Sequence, residues 1–384
     1  MTEQAALVGL GMTPMSLEPG GTALQLACEA TRLALADAGL THADVDGLLV
    51  GSSQGVRPDR LGVAFASQGG FTDLRLLEHV EIKGATTIAM IQRAQLALDS
   101  GAARTIVCVF ADAPLVAGKG AGSTYAHSGG RTGARGLERA SGLLGSVPTY
   151  ALLANRWMHL RGGTPDDLCA VATVTRDWAQ GNPASVVRTP LDSEGYFASP
   201  MIAEPLRRLD CARPVNGGVA IVMSNDPAVG NDVRITIRGT GRDHPVRHRR
   251  AGRESWFGGG RRAVDDALSV AGMTRSDLDA AQLYDPFSVV TLLLLDEYEP
   301  TGGVPVGEFV RSGGTGRGGI LPTNTGGGQL SGFYLQGMTP LAEAIVQLRE
   351  QGGDRQVPGV ATTLVGGIGG RLDHHAAMVL ERAA

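Results

Sequence analysis

The chain alternates short apolar, strand-like runs with segments of helical spacing. A helical pattern over 84–101 leads into the apolar run Arg104–Ala111 (RTIVCVFA). A second helical pattern, over 338–350, leads into Val360–Val365. Strands apolar on both faces, separated by helices, fit sheets covered by helices on either side. A longer unit repeats. Residues 30–51 (ATRLALADAGLTHADVDGLLVG) return as 263–284 (AVDDALSVAGMTRSDLDAAQLY), offset by 233 positions. Ala34, Leu35, Ala38, Gly39, Thr41, Asp44 and Asp46 recur as Ala267, Leu268, Ala271, Gly272, Thr274, Asp277 and Asp279. Each copy reads as a helix, a glycine stop, a short acidic link and an apolar strand, and the glycine suits the position just past a helix end. Any helix–glycine–strand unit shares part of this pattern, but identities held in register favour duplication. The expected fold is α/β, with two halves of βαβ type packed pseudo-symmetrically.

Residues 1–111, with part of 147–226, are expected to form the first half and 227–384 the second. An inserted region covers 112–215. It is rich in Gly, Ser and Arg over 117–146 and is then helical from about Thr149 to Leu160 and from Pro165 to Gln180. Insertions of this size usually carry function or cover a site. A basic cluster at Arg242–Arg253 (RDHPVRHRRAGR) reads either as a solvated loop or as a phosphate contact through Arg247 and Arg249.

Composition narrows the classes. With 384 residues, the chain is long enough for one large two-lobed domain. The 56 glycines point to tight turns and close backbone approaches. A net charge of −4 leaves no nucleic-acid footprint. Cys28, Cys108, Cys169 and Cys211 are widely spaced, without a CxxC pair. They read as reduced thiols of a cytoplasmic protein, and no metal site is expected. No basic-then-apolar leader opens the chain and no apolar run is long enough for a membrane span.

Several segments together resemble the thiolase superfamily, in particular its sterol-carrier-protein-x-type branch, over essentially the whole chain. They are VPTYALLANRWMHLRGGTPDDLCAVATVTRDWAQGNP from Val147, IAEPLRRLDCARPVNGGVAIVMS from Ile202, Tyr284-Asp285-Pro286-Phe287, and LPTNTGGGQLSGFYLQGMTPLAEA from Leu321. The resemblance implies the thiolase fold: two βαβαβ-type halves layered α/β/α/β/α. Thiolases acylate a cysteine at a helix N-terminus, where the dipole lowers the thiol pKa. Here Val80-Glu81-Ile82-Lys83-Gly84-Ala85-Thr86-Thr87 matches that segment, and the nucleophile position is Gly84. The histidine position is Tyr334. The late catalytic segment is Val365-Gly366-Gly367-Ile368-Gly369-Gly370, with Gly366 at its acid/base position. Glycine cannot form an acyl-enzyme, so ordinary thiolase activity is not expected.

A subgroup of that branch, the steroid side-chain-cleaving aldolases named lipid-transfer proteins, is similar in the stretch Gly327–Met338 (GGQLSGFYLQGM). That resemblance implies retro-aldol cleavage of a β-hydroxyacyl-CoA, with CoA as part of the substrate and no separate cofactor. It also implies a homodimeric core and a small zinc-ribbon/OB-fold partner chain. Tyr284 and Tyr334 match the subgroup's two proton-transferring tyrosines, as base and acid respectively. Pro286 departs from the histidine often found there. The reaction needs a base for the β-hydroxyl, stabilisation of the thioester enolate and an acid for Cα; it needs no covalent nucleophile. Asn324 and the Gly366–Gly370 loop are the candidates for enolate stabilisation. Asp285 is expected to orient its neighbours, and Gly84, Gly366, Gly367 and Gly369 to make room for substrate. A tyrosine base near neutral pH needs its pKa lowered by about 3 units, which burial opposes. Lys83, beside the lost nucleophile, reads as an outward lysine or as a buried base. A non-catalytic acyl-CoA-binding or scaffold subunit is the alternative function, and an acyltransferase a more distant one.

Overall fold

A computed structural model of the chain describes residues 4–53, 58–120, 132–230, 233–245, 259–299, 302–370 and 372–383. The first half runs β1 (Ala6–Met12), α1 (Ala23–Asp37), β2 (Gly47–Gly51), α2 (Pro58–Gln68), β3 (Leu76–Val80), α3 (Thr86–Asp99) and β4 (Thr105–Asp112). The insertion follows, with α4 (Gly133–Ala140), α5 (Val147–Arg161), α6 (Pro165–Gln180), α7 (Ser193–Ala198) and the small pair β5 (Met201–Ala203) and β6 (Leu206–Arg207). The chain then returns to the first half as β7 (Gly217–Ser224). The second half comprises β8 (Ile235–Asp243), α8 (Gly259–Ala271), β9 (Ala280–Leu283), α9 (Ser288–Tyr298), α10 (Val306–Arg311), α11 (Met338–Leu348), β10 (Thr362–Gly369) and β11 (His374–Arg382).

The repeated residues build the same joints twice. Gly39 and Gly272 end their helices at φ +69° and +66°, where a β-carbon would be strained. The carboxylates of Asp44 and Asp277 each accept the N–H and hydroxyl of the threonine three residues earlier, Thr41 and Thr274. Asp46 then accepts the N–H groups of Arg104 and Thr105, at 2.8 and 3.0 Å, which ties β2 to β4. Asp279 does the same for Ala361 and Thr362, at 2.9 and 2.8 Å, and ties β9 to β10. Each half also lays its first helix directly on a glycine strand. A β-carbon on Gly11 would lie 2.1 Å from the Ala30 carbonyl oxygen, and one on Gly241 would lie 2.0 Å from that of Ala263.

The strands follow the order β3-β2-β4-β7-β1-β8-β11-β10-β9. Within it, β2, β3 and β4 are parallel, as are β9 and β10. The two half-sheets meet through a short antiparallel pairing, Ala6 with Thr236 and Leu7 with Ile235. Between them lie α3 and α11, which contact strands of both halves. Every residue of α11 is buried, as expected of a helix enclosed on all sides. The outer faces are covered by α1 on the first half and α8 on the second, with α9 packed beside α8. The result is the five-layer α/β/α/β/α arrangement.

The second half departs from the first in one respect. A counterpart of β3 is reduced to an isolated bridge between Ala281 and Thr323, beside Pro322, which has no N–H to extend a ladder. The halves are therefore not equal βαβαβ units, and the vacated edge becomes a loop carrying Asn324. The insertion does more than cover this loop. Asn182 Nδ2 and Ser185 Oγ both donate to the Gly326 carbonyl, at 2.8 and 2.9 Å, and Arg176 donates to Ser331 Oγ at 2.9 Å. Among the described residues no helix is long and apolar enough to cross a membrane.

Candidate active site

The site forms where β9, the 324–337 loop and the turn before α3 converge. Tyr284 immediately follows β9, and its N–H donates to the Gly366 carbonyl at 2.9 Å. Its ring lies against Gly84. A β-carbon on Gly84 would sit 2.4 and 2.5 Å from Tyr284 Cε1 and Cζ, and 2.3 Å from the Ile368 carbonyl oxygen. The space that a side chain at position 84 would need is thus filled by the Tyr284 ring, and not left open for substrate as the sequence led us to expect. The Tyr284 hydroxyl lies 3.1 Å from that of Tyr334, close enough for either to donate. The two candidate tyrosines, 50 residues apart in sequence, form one hydrogen-bonded pair.

Tyr334 is held from both sides. Its backbone bridges to Pro214 at the end of the insertion, and α11 begins just beyond it. It keeps part of its surface open. Burial nevertheless pushes its phenol up to about 12; the bond from Tyr284 works against that, and the charges of Asp112 and Glu81 add to it. At physiological pH it is a neutral phenol.

Asp285 links the tyrosine segments. Its carboxyl is fully buried, and Oδ1 accepts the Gln329 N–H at 2.8 Å, at the start of a π-type turn over Gly328–Gly332 that leads to Tyr334. The turn approaches so closely that a β-carbon on Gly328 would lie 2.1 Å from Asp285 Oδ2. Burial raises the Asp285 pKa to about 8, against the pull of backbone N–H groups and the Asn324 side chain. At neutral pH it is mostly a neutral acid.

Asn324 adopts the left-handed conformation, φ +54°, which asparagine tolerates better than most residues. Its Oδ1 accepts the Leu283 N–H at 2.6 Å, and its own N–H donates to the Ala281 carbonyl at 3.0 Å. Its amide nitrogen lies beside Asp285 without a hydrogen bond of normal geometry. Asn324 therefore joins the group through β9 and Asp285, and not through the tyrosine hydroxyls.

Strand alternation sorts the glycines. A β-carbon on Gly366 would meet the Tyr298 hydroxyl at 2.5 Å, on the side away from Gly84. Gly367 is the position that faces the site, with its β-carbon direction 2.8 Å from the Gly84 carbonyl, and Gly369 sits on the Ile82 carbonyl. The side-chain position assigned to Gly366 from sequence is one residue out of register. Lys83, at φ +58°, is half exposed and pairs with Glu81 at 2.9 Å, so it is not a buried base. Arg247 and Arg249 lie outside the described residues. Sequence reasoning passed over Asp112 and Glu81, whose charges reach Tyr334. Asp112, a buried acid closing an apolar strand, was the readable signal.

Comparison with known proteins gives the family. The model of the thiolase C-terminal domain-like family matches residues 241–382. The 17-hydroxy-3-oxo-4-pregnene-20-carboxyl-CoA lyase of Mycobacterium tuberculosis is 32% identical over 91% of this chain and 92% of its own length. The chain belongs to the thiolase superfamily, in its sterol-carrier-protein-like branch. A steroid side-chain-cleaving aldolase of Thermomonospora curvata is 31% identical over 90% of both chains. A solved Ltp2–ChsH2(DUF35) aldolase superposes with a TM-score of 0.87 at 29% identity, covering 99% of this chain and 98% of that one. Two curated relatives that match about nine-tenths of both chains are thus named as a lyase and an aldolase.

Proposed function

We propose that the protein is an aldolase-type carbon–carbon lyase that cleaves a β-hydroxyacyl-CoA, of the steroid side-chain class acted on by its relatives. One observation carries the proposal: the Tyr284 ring occupies the room a nucleophile at position 84 would need, and its hydroxyl lies 3.1 Å from that of Tyr334. The site is filled by two proton-bearing groups where a covalent chemistry would have required one thiol.

The reaction moves one proton from the β-oxygen to Cα. The three proton shifts go together: the β-hydroxyl proton passes to Tyr284 while Tyr284 passes its own proton to Tyr334 and Tyr334 passes its own to Cα. As they do so the Cα–Cβ bond breaks and the β-carbon becomes a carbonyl. The bonding pair gives the thioester enolate character until the proton from Tyr334 takes it up at Cα. A relay of this kind never needs a free phenolate at neutral pH, which answers the raised pKa of Tyr334. Asp285 and Asn324 hold β9 and the tyrosine loop in register, while backbone N–H groups of the Gly366–Gly370 stretch favour the enolate oxygen. The thioester is its own electron sink, so the step needs no further cofactor.

The solved Ltp2–ChsH2(DUF35) aldolase supports a partner chain for this protein as well, and a small zinc-ribbon/OB-fold protein is the partner proposed. A homodimer through the open edge strand β3, where Leu77 is 42% exposed, completes the proposed assembly. Four free cysteines suit a cytoplasmic setting. The test is to incubate the purified chain and its co-expressed partner with 17-hydroxy-3-oxo-4-pregnene-20-carboxyl-CoA and follow products by mass spectrometry. Release of the ring ketone and a shortened acyl-CoA is expected. An intact substrate, with binding retained, would support a scaffold subunit instead.

A further inference from the structure

A third tyrosine reaches the site from the insertion. Tyr150, on α5, is 7% exposed. Its ring stacks on Phe287, with centroids 4.4 Å apart and planes 25° from parallel. Its hydroxyl donates to the Gly370 carbonyl at 3.3 Å. Phe287 closes the Tyr284–Phe287 segment, and Gly370 follows directly on β10, whose Ile368 and Gly369 press on the turn at Ile82–Gly84. One side chain therefore grips the two segments that enclose the Tyr284 ring, one by stacking and one by a hydrogen bond. Gly370 adopts φ +67°, and there the chain leaves the β10 ladder. The grip thus falls where β10 loses the support of its neighbours. Were Tyr334 ionised, its charge would raise the Tyr150 phenol further, so the two rings belong to one neighbourhood.

We propose that Tyr150 is a positioning residue for the proton relay: it clamps the Phe287 and Gly370 segments against each other and so fixes the Tyr284 ring beside Gly84. The proposal rests on the two-tyrosine reading and gives the inserted helix a catalytic purpose that its sequence did not disclose. It makes Tyr150 neither acid nor base. Its ring and its hydroxyl have separable effects, because Phe keeps the stacking and loses only the hydrogen bond.

The experiment compares Tyr150→Phe and Tyr150→Leu in the full complex, with hydrogen–deuterium exchange of peptides spanning 362–373 measured alongside kcat and KM. Tyr150→Phe should lower kcat about fivefold, the scale of one lost neutral hydrogen bond. Tyr150→Leu should lower it about a hundredfold, the scale of a displacement near 1 Å, with KM little changed. Exchange at 362–373 should rise in both variants. Unchanged exchange overturns the clamp. Raised exchange with unchanged kcat overturns its service to the reaction, as does an equal loss of kcat in both variants. A parallel Tyr334→Phe enzyme separates the two ideas: if that variant is fully active the relay itself fails, while the exchange data still decide whether Tyr150 holds the strand.

Discussion

Gly84→Ala is the sharpest perturbation of this site, because the sequence and the structure give it opposite outcomes. If Gly84 merely left room for substrate, an added methyl would raise KM and leave folding intact. The structure places that methyl 2.3 Å from the Ile368 carbonyl oxygen and 2.4 Å from Tyr284 Cε1. Ordinary contacts between such atoms lie near 3.5 Å, so ring and strand must together retreat by about 1 Å. Ile368 is in β10, laddered to β11 at His375, and the Tyr284 N–H is bonded to Gly366 of the same strand. The ring and the strand it packs against cannot retreat separately. Overpacking of this kind costs about 1–3 kcal/mol. Moving the Tyr284 hydroxyl by about 1 Å should lower kcat roughly a hundredfold. Thermal unfolding and steady-state turnover measure the two parts. A double variant, Gly84→Ala with Tyr284→Ala, should lose less stability than the sum of the two single variants, since the ring that collides with the methyl is gone. Wild-type melting and kcat in Gly84→Ala, with a change in KM alone, would refute the reasoning.

Two further outcomes concern buried titratable groups. Folding raises the Asp285 pKa to about 8, above its ordinary carboxylate value, so the folded chain holds the proton longer and pays for ionisation as pH rises from about 4 to 8. Asp285→Asn keeps an acceptor for the Gln329 N–H, so it should match wild-type stability near pH 4 and exceed it at pH 8; equal denaturation midpoints at both values would contradict the assignment. His375 runs the other way: burial lowers its pKa from 6.5 to about 4, so the unfolded chain takes the proton first. Its contribution is intact above pH 6.5 and is lost as pH falls toward 4, by about 3 kcal/mol at the end of that window. His375→Leu should flatten the acid limb of a stability-versus-pH curve, and an unchanged limb would remove His375 from the account.

Much of the fold could be read before any coordinates. Gly39, Thr41, Asp44 and Asp46 repeat in the second half because each makes a local bond, and local bonds leave a local pattern. The missing strand at Pro322 was harder, since a proline in a loop-like run does not announce the symmetry it breaks. The tyrosines could be found by resemblance, but their relation to Gly84 could not. Tyr284 and Gly84 meet only because β9 and the α3 turn come together across the two halves, and no spacing encodes that contact. Gly366 was misplaced for a simpler reason: along a strand, an error of one residue turns a side chain to the other face. Tyr150 and Arg176 act from the insertion, where helical periodicity shows a buried face but not what it is buried against.

The proposed reaction is a proton relay without a covalent intermediate, and Tyr334→Phe tests it most directly. Phenylalanine keeps the ring that fills the site and removes only the hydroxyl bonded to Tyr284. Turnover of a β-hydroxyacyl-CoA by the complete complex should fall by about 10²–10⁴-fold, the usual contribution of a positioned acid or base, while the melting temperature stays near wild type. Full turnover by Tyr334→Phe would contradict it.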